Sequence, residues 1–460
     1  MKSIRLLLIL ILYLFLTETV KAQYIIVDSV IFKGNDKTRD NILLRELDFL
    51  PGDSILISEL DSRLEFNRRK LTNTNLFIWV KGDYHQSQTD HIKITYEFLE
   101  QWYLLAYPIF QLADRNLNDW WSRGRSLERT IYGAHFIHNN FQGRNEKLMI
   151  KAETGFTQRL DFTYSNPYLD KKKTLGLAVN ASYSTSKIMP YETRNDTLQY
   201  LTTEKILRER WSGGINLRKR FKFYDLQTLE LKYTHTVISD TIVKLNPNYF
   251  ALNTKEQNFT QLLYSYSYDF RDLIAYPLRG RKFDITFNKV GLLPADQVDF
   301  WEITGAIAYF FDLGSHFFLT TQVKGKISKN TNIPYANIRG LGYGNEIVRG
   351  YELNVLDGTS YFLNRNTIKF QLLNKVFKLP FLPIKQFNQI PIAIYPTAFY
   401  DFAYVNNNFS ANENKLVNQW ISGGGLGFDV VTYYNLVCKF GFPVTNGSKI
   451  GMVIGIGREF

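Results

Sequence analysis

Residues suited to acid–base or metal chemistry are sparse in this sequence. The 460-residue chain has six histidines and one cysteine, Cys438. Only His135 and His138 lie close together, and two imidazoles are too few to hold a metal ion. The sequence contains no HExxH pair, no GxSxG nucleophile elbow and no P-loop. We therefore predict a protein that is not an enzyme and that binds no cofactor and no metal.

Glycines with a regular spacing are the other chemical feature. The stretch Gly423 to Gly427 superficially resembles a phosphate loop, but it lacks the G-x-G-x-x-G spacing followed by a helix. Alternate glycines instead indicate one face of a strand, where a missing side chain leaves room for another segment to approach. The glycines that we expect on such faces are Gly423, Gly425, Gly427, Gly451, Gly455 and Gly457.

Composition narrows the class of protein. Hydrophobic residues make up 45% of the chain and aromatic residues 15%, so the chain is not disordered. A single cysteine excludes a disulfide-stapled fold. Mean hydropathy is slightly negative, and no run of 18 apolar residues follows the N-terminal segment, which excludes a polytopic helical membrane protein. A large globular protein or a membrane β-barrel remains.

Residues 1–22 have the pattern of a secretory signal peptide. Lys2 and Arg5 precede an apolar run from Leu6 to Leu16, and Val20-Lys21-Ala22 has small or aliphatic residues at the positions that signal peptidase reads. The apolar run is too short to span a membrane as a helix. A buried N-terminal helix is the alternative, but a mature start at Gln23 leads directly into a domain.

The mature chain divides by charge and pattern. Residues 24–100 have ten Lys and Arg against thirteen Asp and Glu, a net charge of −3, whereas residues 101–460 carry +13. The two parts are therefore expected to face different environments. If the second part is a membrane β-barrel, the lining of its lumen and the phosphates of the outer leaflet account for the positive charge. Nucleic acid accounts for it less well, because no folded basic domain is present.

Residues 24–100 predict a small α+β domain with the order β-α-α-β-β. We expect two helices on one face of a three-stranded sheet. An open sheet edge is usually blunted unless it accepts a strand from a partner, although a simple spacer domain is equally compatible. The expected elements are a strand through Ile26, Val30 and Phe32, helices at Thr38 to Leu47 and from Ser58, and strands at Leu76 to Tyr84 and His91 to Glu97.

Residues 101–460 predict a transmembrane antiparallel β-barrel. Apolar and polar residues alternate in several segments, for example Leu229 to Val237 and Phe283 to Phe287. In lipid this pattern favours a closed barrel with apolar residues outside. A soluble β-sandwich alternates too, but its strands are usually shorter and less aromatic. At about 22 residues per strand and connection we expect ~16 strands, with 14 or 18 fitting nearly as well.

Loop lengths and the last strand agree with a barrel. Short turns at Asn140 to Asn145 and Ser165 to Tyr168 contrast with long loops at Ser184 to Arg210 and Asn330 to Tyr361. The final strand is amphipathic and ends in Phe460, which resembles the C-terminal signal that delivers outer-membrane barrels to their assembly machinery.

One motif in the second long loop resembles a known family. Val348-Arg349-Gly350-Tyr351 resembles the VRGY/VRGF motif of the BamA/TamA superfamily of outer-membrane assembly and translocation barrels. The resemblance implies that this loop folds into the lumen and that Arg349 pairs with an acidic residue on the wall. Asp401 matches that acidic position in the family's F-x-D-x-G pattern, with Ala403 in place of glycine. An arginine in a narrow barrel would be costly without such a carboxylate.

The N-terminal domain resembles a single POTRA module of the same superfamily, through Phe32-Lys33-Gly34-Asn35 and the stretch from Arg45 to Asp53. The resemblance implies a periplasmic module that receives extended client strands, below a bacterial surface antigen type of barrel in the outer membrane. It also implies a weak seam between the first and last barrel strands. Expected partners are unfolded outer-membrane or secreted client proteins, outer-membrane lipids including lipopolysaccharide, and a periplasmic or lipoprotein accessory.

Three functions remain open at this point. The first is an assembly factor that inserts or translocates other proteins at the outer membrane. The second is a substrate-specific secretion pore for one exported partner, and the third is a passive porin-like barrel. A domain that recognises clients disfavours the third. Between the first two functions the sequence gives little. A single POTRA module is fewer than the essential general insertases usually carry, and we expect no plug helix of the kind that two-partner secretion pores tend to have before their modules. We therefore expect a specialised or accessory assembly factor.

Overall fold

A computed structural model describes residues 23–112, 120–121, 124–125, 127–170, 174–222, 224–329, 333–378, 389–408, 414–432, 436–445 and 451–456. The expected signal peptide, Gly457 and the C-terminal Phe460 lie outside these residues. The chain divides into two compact units between Glu100 and Gln101. Among the described residues, no helix is both long and apolar enough to cross a membrane.

The N-terminal unit is a four-stranded sheet with two helices, not the three-stranded sheet that we expected. The elements are β1 (Tyr24–Lys33), α1 (Asp40–Leu44), β2 (Ser54–Leu56), α2 (Ile57–Asn73), β3 (Phe77–Gln88) and β4 (His91–Glu100). The sheet order is β2-β1-β4-β3, with β1 parallel to β4 and the other pairs antiparallel. The unexpected strand β2 has three residues, too few to show a period in the sequence, and it forms only by pairing with β1.

The core of this unit lies between the helices and one face of the sheet. Leu60, Leu64 and Leu71 share one face of α2 and are buried, as their helical spacing predicts. They lie on the side of the sheet where β4 buries every second residue from Ile92 to Phe98. Strand β3 forms a free sheet edge, and its residues 81–88 are exposed.

The second unit is mainly a closed antiparallel barrel, as the alternation predicts. Strands β10 (Ile188–Arg194) and β11 (Thr197–Thr202) form a separate hairpin, and α3 (Asp240–Leu245) is a short helix in a loop. The barrel strands are β5 (Leu104–Leu112), β6 (Thr130–Phe141), β7 (Glu146–Gly155), β8 (Thr157–Asn166), β9 (Leu175–Ser186), β12 (Arg208–Arg220), β13 (Asp225–Ile238), β14 (Glu256–Arg271), β15 (Gly280–Val290), β16 (Phe300–Gly314), β17 (Phe317–Lys329), β18 (Ser360–Phe370), β19 (Leu373–Lys378), β20 (Gln389–Asn406), β21 (Trp420–Thr432), β22 (Leu436–Thr445) and β23 (Val453–Ile456).

These 17 strands occupy 16 positions around the barrel. Strands β18 and β19 pair with successive parts of β20. Lys369 lies opposite Thr397 and Leu373 lies opposite Ile394, so between these two pairs the β18–β19 side has one residue more than β20. Pro396 lies at the break and cannot donate a ladder hydrogen bond, a common reason for a bulge. The two strands are thus one interrupted wall position, which agrees with the expected 16.

The barrel wall has apolar residues on its outer face and polar residues on its lumen face, as the sequence predicts. Leu229, Leu231 and Tyr233 are exposed on the outside, while Glu230 and Lys232 between them face the lumen. Connections at one end of the barrel, here called the turn end, are mostly short. At the other end, the loop end, lie the segments 187–207, 239–255 and 333–359. The first of these contains the β10–β11 hairpin.

Candidate functional site

Residues 333–359, here called the docked loop, fold back onto the lumen face of the barrel wall. The loop closes on itself through a bridge between Leu341 and Leu356, whose backbone N–H and C=O groups bond at 2.9 Å in both directions. Its buried side chains pack against wall residues that alternate with outward-facing aromatics. This cluster contains Leu341, Val348, Tyr351 and Leu356 of the loop and Tyr361, Leu363, Ala403, Val405 and Ile421 of the wall.

The charged centre of the docking is the pair Arg349 and Asp401, which the structure brings together. The Arg349 Nε–H donates to Asp401 Oδ2 at 2.7 Å, and Nη2–H donates to Oδ1. The backbone N–H of Arg349 donates to the same carboxylate at 3.1 Å. The Asp401 side chain is 0% exposed and that of Arg349 is 29% exposed. This is a bidentate, charge-assisted pair, the strongest geometry available to these groups.

Two further N–H groups of the Arg349 guanidinium also donate hydrogen bonds. Nη1–H donates to Thr367 Oγ1 at 3.0 Å, and Nη2–H donates to the Asn366 carbonyl at 3.1 Å. The guanidinium carbon lies 4.1 Å from the ring centre of Phe399, a cation–π distance. Arg349 is therefore held in one orientation by two wall strands, β18 and β20.

A second arginine, Arg365 on β18, holds the backbone of the docked loop. It stands opposite Asp401 across the β18–β20 pair. Its Nε and Nη2 groups donate to the Ile347 carbonyl at 3.1 and 2.6 Å. The sequence analysis assigned no role to Arg365 or Thr367, and it used Phe399 only as the first residue of the F-x-D-x-G pattern. The shared parity of Arg365 and Thr367 is visible in the sequence, but the register that places them beside Asp401 is not.

The glycines differ in what they make room for. A Cβ atom on Gly423 would lie 2.0 Å from the Arg349 carbonyl oxygen, so the loop backbone occupies the place of a side chain. On Gly425 and Gly427 a Cβ would instead meet the backbone of β22, at 2.3 and 2.4 Å. Gly350 in the loop has φ +104°, a left-handed conformation that favours glycine.

The last-strand glycines have a different environment. Of the three expected there, Gly451 and Gly455 are described, and a Cβ on either would have no contact shorter than 3.6 Å. Close approach of the loop is thus a property of Gly423, not of all the lumen-facing glycines.

The β10–β11 hairpin covers the docked loop at the loop end. The Val355 N–H donates to the Asp196 carbonyl at 2.8 Å. The Asp196 carboxylate accepts the backbone N–H groups of Lys415 and Leu416 at 3.0 and 3.1 Å. Burial raises the pKa of this carboxyl group. Asp196 therefore joins three loops: its own hairpin, the docked loop and the connection that precedes β21.

The histidines lie apart from this site. His135 accepts or donates a hydrogen bond with the Tyr107 hydroxyl at 2.8 Å, whereas His138 is on the opposite face of β6 and contacts the Asn139 carbonyl. In the described part of the chain, no group of His, Cys, Asp and Glu side chains could hold a metal ion.

Comparison with known proteins gives matches of family and fold. Residues 140–460 match the model of the Omp85 superfamily domain. BamA from Haemophilus ducreyi, solved without POTRA domains 1–3, aligns over 94% of this chain and 84% of its own, with a TM-score of 0.53 and 15% identity. CdiB from Escherichia coli aligns over 94% and 75%, with a TM-score of 0.57 and 11% identity. At these identities the likeness is one of fold. No curated protein matches the chain.

Proposed function

The chain belongs to the Omp85 superfamily, and we propose from this premise that it is a specialised assembly factor for other outer-membrane proteins. Its barrel is of the BamA/TamA type, and insertion or translocation of proteins at the outer membrane is the role of such a barrel. The finer proposal is that its N-terminal unit receives client strands and that its barrel inserts them.

The observation that carries this proposal is the docked loop. A passive porin needs an open lumen, but here Arg349 fastens a loop of the chain itself onto the inner wall through a buried carboxylate. Packing around Val348 and Tyr351 adds an apolar contact on the same wall. A lumen that holds a bound loop supports insertion of proteins at the barrel wall rather than free diffusion of solutes.

The N-terminal unit supports the reception of clients. We take it to be a periplasmic POTRA module whose free edge at β3 offers backbone groups to an extended segment. Residues 81–88 of that edge are exposed, and the Tyr84 N–H donates to the adjacent Asp83 carboxylate at 2.8 Å. A client strand could replace that local bond with a ladder bond.

The end of the barrel supports a seam for insertion. The barrel order places β23, the last of the described strands, next to β5, the first strand of the barrel. We propose this junction of the first and last strands as the route by which client proteins are inserted into lipid.

Quantitative proteomics of the outer membrane after depletion tests the function. Loss of a limited set of barrel proteins, restored by the wild-type gene but not by Arg349→Ala, is the expected result, whereas loss of most barrel proteins would assign a general assembly role. Arg349→Lys is the matched variant, because it keeps the charge and loses the bidentate fork. Loss of one secreted or surface protein would instead assign a dedicated secretion pore. An unchanged proteome would contradict both roles.

A further inference from the structure

A second segment enters the lumen, at the turn end of the barrel. Residues 272–279, here called the inward turn, connect β14 and β15. Tyr276 in this turn is 3% exposed. Its ring packs against Tyr395, with ring centres 4.8 Å apart, and the two rings form one buried cluster with Val437. Tyr395 and Val437 belong to β20 and β22, which are not neighbours of β14 or β15.

Polar contacts fix the inward turn in this position. The Tyr276 hydroxyl donates to Asp429 Oδ2 at 2.9 Å, a buried hydrogen bond. The Lys369 Nζ–H donates to the Pro277 carbonyl at 3.3 Å and lies 4.2 Å from the centre of the Tyr276 ring. The Lys369 side chain is 0% exposed. A buried ammonium group is costly unless it is bonded, so these contacts with the turn help to compensate for its burial.

These contacts form a socket on the lumen side of the wall. Lys369 pairs with Thr397 across β18 and β20, and Tyr395 pairs with Asp429 across β20 and β21. Asp429, Tyr395 and Lys369 thus share the face that Asp401 occupies farther along β20. Two wall positions, β16 and β17, separate β15 from β18. The inward turn therefore extends across the lumen to reach its socket.

We propose that the inward turn is a gate that closes the turn end of the lumen, in series with the docked loop at the loop end. Both segments bind the lumen face of the same wall strands, β18 to β22. Anything that crosses the lumen has to displace Tyr276 from its socket as well as Arg349 from Asp401. What the gate means for client proteins rests on the proposed function: a closed lumen directs clients to the barrel wall rather than through the lumen.

Ion conductance in planar bilayers tests the arrangement in series. Tyr276→Ala and Arg349→Ala each remove one closure, and each alone is expected to conduct nearly as little as the wild type. The double variant is expected to conduct more than the sum of the two single variants. Leu273→Ala is the matched control, because Leu273 belongs to the same turn but is exposed. Conductance that is merely additive would overturn the proposal.

Cysteine labelling tests the position of the gate. In a Cys438→Ser background, Thr397→Cys places a thiol on the lumen wall directly beside Lys369. A membrane-impermeant maleimide added from the turn end should label it faster in Tyr276→Ala than in the wild type or in Leu273→Ala. Equal rates in all three would refute the gate.

A folding failure is separated from gate opening in two ways. Heat-modifiable migration on gels reports whether each variant barrel is folded. Tyr276→Phe keeps the packed ring and loses only the bond to Asp429, so it should give an intermediate labelling rate. Neither readout uses a client protein. Failure of the gate and failure of the proposed assembly function are thus distinguishable.

Discussion

The docked loop and the inward turn enter the lumen from opposite ends and bind the same wall by different means. Arg349 of the loop makes a bidentate pair with Asp401 and is covered by Phe399. Tyr276 of the turn packs as a ring and makes one hydrogen bond to Asp429. In the first contact the inserted segment supplies the cation. In the second the wall supplies it, as Lys369.

The two contacts should differ in how strongly they depend on a single side chain. A charge pair with a buried carboxylate depends on both partners, because removal of one leaves the other uncompensated. A packed ring depends mainly on its apolar area, and a single hydrogen bond contributes modestly. The docked loop should therefore respond sharply to single substitutions, and the inward turn gradually.

The largest expected effect is that of Asp401→Ala. Removal of the carboxylate leaves the Arg349 guanidinium in the lumen without its anion, which costs about 3 kcal/mol or more of docking free energy. In intact outer membranes we then expect protease to cut the loop of the variant and to leave the wild-type loop uncut. The control is Asp284→Ala, a lumen carboxylate whose described partners are Ser267 and Lys282.

The exchange of both charges sharpens this test. Arg349→Asp combined with Asp401→Arg restores an ion pair but not the bonds to Thr367 and Asn366, so protection should return in part. Protease resistance of the single Asp401→Ala variant equal to the wild type would show that the pair does not hold the loop.

Gly423→Ala should have the next largest effect. Its new methyl group would lie 2.0 Å from the Arg349 carbonyl oxygen, so the loop backbone has to move away from the wall. Overpacking of this kind costs about 1–3 kcal/mol. Gly213→Ala is the control, since a Cβ there would meet no atom closer than 3.8 Å. The measurement is again protease access to the loop, and an identical digestion pattern in the two variants would contradict the close approach.

Tyr276→Phe should weaken the inward turn only slightly. The variant loses the hydrogen bond to Asp429, which contributes about 1 kcal/mol, and keeps the contact with Tyr395. Thermal unfolding followed by heat-modifiable migration should give a small decrease in the midpoint. A decrease as large as that of Asp401→Ala would remove the distinction between the two contacts.

Arg279→Ala should have the smallest effect. Arg279 ends the inward turn and pairs with Asp312, but its side chain is 66% exposed. Exposed ion pairs contribute little to stability, so we expect an unchanged midpoint and unchanged labelling of Thr397→Cys. An increase in labelling would mean that the turn is held at its exposed end rather than by Tyr276.

The sequence predicted the elements that depend on local periodicity. Strand β4 and the alternation from Leu229 to Val237 could be identified because a half-buried strand repeats every two residues. The motif around Arg349 and its match to Asp401 came from the family resemblance, and the structure places the two side chains in contact. Strand β2 was not predictable, since three residues show no period and its pairing with β1 is long-range.

By itself, then, the sequence determined which residues face lipid and which face the lumen, because alternation is a local property of the backbone. Tertiary structure alone decided which lumen-facing residues meet. The register between β18 and β20 places Arg365 and Thr367 beside Asp401, and the crossing of the inward turn places Tyr276 on Asp429. Registers and crossings depend on contacts between residues distant in the chain, and no spacing within one strand records them.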